Sequence, residues 1–290
     1  FVHLHTHSSY SPMWGTSTLE ALCEAVRTQG HDTLALTDTN GLYGAIRFLE
    51  VAKRAGLKPI LGTEIIHAQH RAVLLAKSPE GYGNLCRLLS ARHEDEPFEF
   101  IETLQRYRSG LVILSDDFQA LTAWRAQSGE DLYVELTPGA ELQKAVSFSR
   151  QNCIPPVATT RAALLRPSDF EAHRLLRAIA ENTTLSRLRP DCCCAPSHWL
   201  MPSSVMARAL PHVPEALSNT RRIANQCATD WDFQTSIVPS FREMSADGAV
   251  ETLRAKTYNG AVWRYGVLSE VVRARIEKEL TVIREKRFAD

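Results

Sequence analysis

Short apolar runs separated by stretches of helical period recur from Phe1 to about residue 165, and this alternation narrows the possible folds more than any other feature. Residues 1–6, 33–37, 59–66, 72–76, 111–114, 132–136 and 156–159 read as strands. Helical spacing separates most of them. Leu19, Leu22, Cys23 and Val26 make one apolar stripe, and Ser17 with Glu20 offers a capping box ahead of it. Residues 45–55 form a helix that Gly56 closes, and residues 79–92, 101–106 and 141–149 are helical. Strand and helix in this order predict βαβ units and a mostly parallel sheet. Seven or so such strands suit a closed barrel better than an open sheet, and barrels carry their chemistry at the C-terminal ends of the strands.

After residue 167 the pattern turns helical, over residues 169–179, 215–227, 250–265 and 270–285, with irregular stretches at 187–195 and 229–244. In the last helix Val272, Ile276, Leu280 and Ile283 form the apolar stripe. The chain stops at Phe288-Ala289-Asp290 without a turn or cap, which reads as the end of a fragment whose natural chain continues. Thirty-three basic and 33 acidic residues cancel, so the overall basic bias of a dedicated nucleic-acid binder is missing. No apolar run reaches the roughly 18 residues of a membrane span, and Phe1-Val2-His3-Leu4-His5 is no signal peptide. Seven cysteines, three of them adjacent (Cys192, Cys193, Cys194), fit reduced thiols in a cytoplasmic protein with no membrane partner.

His5-Thr6-His7 is the strongest local chemical signal. Alternate residues of a strand share a face, so both imidazoles, with His3, project together. Such a pair is either a solvated polar strand end or half of a metal site. Glu64 is expected at the end of the third strand, Asp38 at the end of the second, His70 at the start of the fourth, and Asp116 and Asp117 after the fifth. Successive strand ends therefore carry ligands or acids on one rim. Histidines with carboxylates suit zinc, manganese or iron. Two ions sharing a bridging carboxylate suit phosphoester hydrolysis.

Leu4-His5-Thr6-His7-Ser8 with Ser11, then Leu36-Thr37-Asp38-Thr39-Asn40-Gly41 and Gly62-Thr63-Glu64, resemble the successive motifs of the PHP (polymerase and histidinol phosphatase) domain. The stretches 58–64 and 74–85 are narrower. They resemble the PHP domain of the bacterial DNA polymerase III alpha subunit and its error-prone relatives, as do Pro214–Thr220 with Ile223-Ala224, Arg264-Tyr265-Gly266, and Glu279–Ile283 with Phe288-Ala289-Asp290, so the resemblance covers essentially the whole chain. It implies an α/β fold, a distorted seven-stranded β/α barrel over residues 1–210, and a mainly helical extension over 211–290 leading toward a polymerase palm.

In intact members the resemblance implies up to three metals and phosphoester hydrolysis, in some cases 3′–5′ exonuclease activity. The first metal position uses His5, His7, Glu64 and an aspartate for which this chain has Arg161. The second uses Glu64, His70 and a residue that is here Asp117. The third has lost its ligands to Trp14, Thr39 and Ala163. The expected metal ligands are thus His5, His7, Glu64, His70 and Asp117, with Asp38, Thr39, Trp14 and Arg161 lining the site. One or two divalent ions, or none, are expected, and no catalytic residue is assigned. Arg161 would repel a metal, or pair with Glu64 in its place.

The resulting expectation is the PHP module of an alpha-type DNA polymerase, a nucleotidyltransferase of replication or error-prone synthesis. The module would have a partly degenerate metal site and a structural role. Its partners would be the palm, thumb and fingers of the same chain, DNA through them, and a proofreading exonuclease subunit. The alternatives are an active metal-dependent phosphoesterase or 3′–5′ exonuclease, and a free-standing phosphatase of small phosphate esters. Among lesser features, Tyr10 and Trp14 either stack on a base or fill space left by missing ligands.

Overall fold

The computed structural model describes residues 1–94, 97–233 and 244–289. The chain separates into two compact units, Phe1–Trp231 and Asp232–Asp290. The irregular stretch expected at 229–244 falls mostly outside the described residues, as does Asp290 at the chain end.

Six strands, β1 (Thr33–Leu36), β2 (Lys58–His67), β3 (His70–Ala76), β4 (Leu111–Ser115), β5 (Leu132–Leu136) and β6 (Pro156–Ala158), form one curled sheet in that order. β1 and β2 run parallel, as do β4, β5 and β6, but β3 is antiparallel to both of its neighbours. This corrects the expectation of a mostly parallel sheet. The chain from β2 to β3 is far too short for a crossover, which needs a dozen or more residues. It turns back as a hairpin in which His67 pairs with His70 and Ala68 takes the left-handed conformation, with φ 52°. The reversal carries His70, the first residue of β3, to the end of the sheet where β2 finishes.

The seventh expected strand, over residues 1–6, is not regular. It makes isolated parallel bridges, His3 to Leu34 of β1 and Thr6 to Ala162 just past β6, and so touches both ends of the sheet. Its ladder is broken by threonines. The Thr6 backbone N–H donates to Thr37 Oγ1 at 2.9 Å, and the Thr6 hydroxyl donates to the Ala35 carbonyl.

The helices around the sheet are α1 (Leu19–Thr28), α2 (Ala45–Ala55), α3 (Pro79–His93), α4 (Phe100–Arg106), α5 (Phe118–Gln127), α6 (Leu142–Asn152), α7 (Phe170–Ala180), α8 (Ser203–Ala209) and α9 (Pro214–Gln226). The cap of α1 is Thr18, whose hydroxyl accepts from Ala21 N, rather than Ser17. α2 ends at Gly56 as expected, with φ 71°. Two apolar layers enclose the sheet. One packs β2–β5 against α3–α6 and holds the fully buried Trp124. The other packs α1 and α2 against β1. Inside the curl, Val2, Leu4, Ile60, Val73, Val112 and Val157 meet Ile223 and Ala224 of α9. α9, placed beyond residue 210 in the sequence reading, thus packs within the first unit, where Val2 N donates to Thr220 Oγ1 and Asn219 Nδ2 to the Pro156 carbonyl.

The second unit is a pair of helices, α10 (Ala246–Tyr265) and α11 (Glu270–Glu285). Ser245 and Ser269 cap them, and Arg254 and Tyr258 of α10 reach Glu277 of α11. Of the stripe expected on the last helix only Leu280 is fully buried.

Candidate metal centre

Three of the five expected ligands converge. His5, His7 and Glu64, all buried, offer atoms within 4.8 Å of one another. His5 Nε2 lies 3.1 Å from His7 Nε2 and 3.4 Å from Glu64 Oε1, and His7 Nε2 lies 3.7 Å from Glu64 Oε2. Glu64 sits inside β2 rather than at its end as expected, because the hairpin extends β2 to His67. It still reaches the rim, since β1 stops at Leu36 and Thr39 bridges to it instead.

His70 and Asp117 stand apart from the trio. His70 Nδ1 is 2.5 Å from Asp117 Oδ2, its ring stacks on Phe100, and Asp117 also caps α5 through Ala120 N. Asp38 is a buried acceptor for Ser8 N, Ser8 Oγ and Ser11 Oγ at 2.6–2.8 Å. It touches the site through Ser11, whose hydroxyl is 3.2 Å from His7 Nδ1. Gly15 lets this first loop close, because a Cβ there would meet Ser8 O at 2.0 Å. Thr39 donates to Glu64 Oε2 at 3.1 Å and faces His7 Nδ1 at 3.3 Å. Trp14 turns away from the trio. It packs on His173 and Arg177 and accepts His173 Nδ1 at its carbonyl.

Arg161 corrects the electrostatic expectation. Its guanidinium pairs with Glu135 Oε2 at 2.8 Å and Asp116 Oδ2 at 2.6 Å, not with Glu64. Arg71 donates to both oxygens of Asp116 at 2.8 Å and leaves its buried Nε without a hydrogen-bond partner, 3.8 Å from Glu64 Oε1. Glu135 in turn holds His5, with Oε1 2.6 Å from Nδ1. Glu135 and Arg71 escaped the sequence reading. The available signal was a lone acid in the apolar run 132–136, where burial is expensive without a partner.

The charges explain the titration. Burial alone would lower the pKa of His5, but Glu135 and Glu64 outweigh it and raise it. Burial takes His7 down to about 3. Burial would lift Glu64, yet the two imidazoles and Arg71 bring it to about 2. Glu135 lies well below the usual carboxylate range, because Arg161 and His5 overcome its burial. Burial, then Arg161, lowers His198 to about 4.

Glu64, Glu135 and Asp116 set three negative charges against the two guanidiniums of Arg71 and Arg161. One negative charge is left over, beside two imidazole nitrogens at hydrogen-bond distance that cannot both be bare. A proton or a metal cation satisfies this arrangement. The donor set of two neutral nitrogens and a carboxylate is one that transition-metal ions accept, so His5, His7 and Glu64 could hold a metal ion. An open cleft of about 340 Å³ is lined by Asp116, Glu135, Arg161, Ser197 and His198 among others, and it meets the trio only through Glu135, which holds His5.

The PHP domain family matches residues 3–138. Over its full length the chain is 29% identical to an error-prone DNA polymerase of Symbiobacterium thermophilum, covering 31% of that protein. It is 28% identical, again over its full length, to DNA polymerase III subunit alpha of Halalkalibacterium halodurans, covering 28% of it. The chain therefore spans less than a third of the length of these relatives. Among solved structures, an amidohydrolase of Chromobacterium violaceum aligns with a TM-score of 0.42 at 13% identity, over 55% of this chain and 86% of that one. Among the described residues no helix is long and apolar enough to cross a membrane.

Proposed function

Since the chain carries a PHP domain and is related over its whole length to bacterial alpha-type DNA polymerases, we propose that it is the PHP module of such a polymerase, acting as a structural platform with a partly degenerate metal site. Nucleotidyl transfer then belongs to parts of the polymerase outside these 290 residues. Its partners are the palm, thumb and fingers of the same chain, DNA through them, and a proofreading exonuclease subunit.

One observation carries this reading. A guanidinium, locked between Glu135 and Asp116, occupies the position for which the resemblance calls for a metal-binding aspartate. With His70 and Asp117 bonded to each other, the trio is the ligand set that remains among the described residues, suited to one zinc, manganese or iron ion. Such an ion would neutralise the surplus negative charge and tie the N-terminal stretch to β2. Metal analysis of the purified chain should return at most one tightly bound ion. Two or more per chain would show that the site is not degenerate.

The second reading, an active phosphoesterase or 3′–5′ exonuclease, is favoured by the trio and by an open cleft on the far side of Glu135. A bound ion there would polarise a phosphoester and activate water. On that reading His5→Ala abolishes manganese- or zinc-dependent release of nucleotide from a 3′ end. On the platform reading the parent chain releases none above background.

A further inference from the structure

We propose that Glu135 is the positioning residue of the His5–His7–Glu64 trio, and that Arg161 is its anchor. The inference rests on reading the trio as a one-cation site.

Both carboxylate oxygens of the buried Glu135 are fully engaged. Oε1 accepts from His5 Nδ1 at 2.6 Å and from Thr159 Oγ1 at 2.5 Å. Oε2 accepts from Arg161 Nε at 3.1 Å and Nη2 at 2.8 Å. Four bonds from three residues leave the carboxylate one orientation. An ionised carboxylate only accepts, so Nδ1 of His5 carries the proton, and Nε2 is the atom turned toward His7 and Glu64. A carboxylate behind a ligating imidazole fixes its tautomer and ring orientation and makes it a better donor to metal.

Arg161 sits in the left-handed backbone region with φ 45°, a conformation that disfavours side chains other than glycine, asparagine and aspartate. From there its fork spans Glu135 and Asp116. Its charge is thereby taken up behind the trio. Arginine at this position removes a ligand without preventing a cation from binding the remaining three.

Zinc titration and histidine-selective ¹⁵N NMR of the 290-residue chain test this, with His5 assigned by its loss in His5→Asn. Glu135→Gln fills the same space without the charge. It is expected to weaken zinc 10–100-fold with unchanged circular dichroism, and Glu135→Asp to recover part of the loss. An affinity within twofold of the parent's overturns the assignment. If the parent binds no zinc, the one-cation reading falls and the His5 ring decides alone. Loss of the Nδ1 proton signal in Glu135→Gln then upholds the positioning role, and its retention rejects it. Should Glu135→Gln fail to fold, Arg161→Lys carries the same test, because lysine keeps the charge but not the fork. Weakened zinc or a lost Nδ1 signal upholds the anchor, and parental values for both reject it.

Discussion

Where His5, His7 and Glu64 meet, donors face one another at 3.1–3.7 Å, and each accepts a proton or a metal. One side chain away, Arg71, Asp116, Arg161 and Glu135 alternate in sign at 2.6–2.8 Å and balance one another in charge. Both clusters sit on the same rim and are joined by the contact between His5 and Glu135. The first is completed from outside, so pH and metal should govern it. The second is balanced in charge by its own members, so removal of a member should disturb it most. A buried guanidinium can thus sit beside a cluster of possible ligands when it brings its own counter-ions.

The largest expected effect breaks the self-contained cluster. Arg161→Ala leaves the buried Glu135 without its cation, and the half-buried Asp116 with Arg71 alone, and should cost the first unit about 3–5 kcal/mol in urea denaturation. A loss below about 1 kcal/mol would mean that water replaces the guanidinium freely, and the two clusters would no longer differ in kind. Acid comes next. His7, His3 and His198 are held down to about 3, 3 and 4, so between pH 6.5 and 4 the unfolded chain binds more protons and stability falls with pH. Glu64, held at about 2, adds to the loss below pH 4.5. Each group contributes up to about 1.4 kcal/mol per pH unit. His5 works in the opposite sense, because its raised pKa gives stability below pH 6.5 that is lost as pH rises through the folded value. A urea midpoint that stays level from pH 7 to pH 4.5 would contradict this burial. The smallest effect concerns the pair outside both clusters. His70→Ala should cost about 1 kcal/mol and leave the zinc stoichiometry of the chain unaltered. Loss of zinc in that variant would place His70 in the trio and enlarge the first cluster at the expense of the contrast.

Much of this was legible from local pattern. The helix over 45–55 with its glycine stop and the strand over 132–136 appear at the residues where periodicity put them. The convergence of His5 and His7 was legible, because histidines two apart on an extended stretch share a face. The β2–β3 hairpin was legible too, had the shortness of the connection been weighed against the parallel pattern. Glu135 was not. Nothing local tells a lone acid in an apolar strand that its partners are an imidazole 130 residues earlier and a guanidinium 26 residues later.

Periodicity, spacing and residue type determined the layered α/β architecture and the pairing of His5 with His7 on one face, because each of these is a property of short stretches of chain. Which carboxylate Arg161 would choose was decided only by the tertiary structure. The curl of the sheet brings Glu135 and Asp116 within 3 Å of the guanidinium and leaves Glu64 to the histidines. Ion pairing depends on distance and burial in three dimensions, and neither is written in the order of the residues.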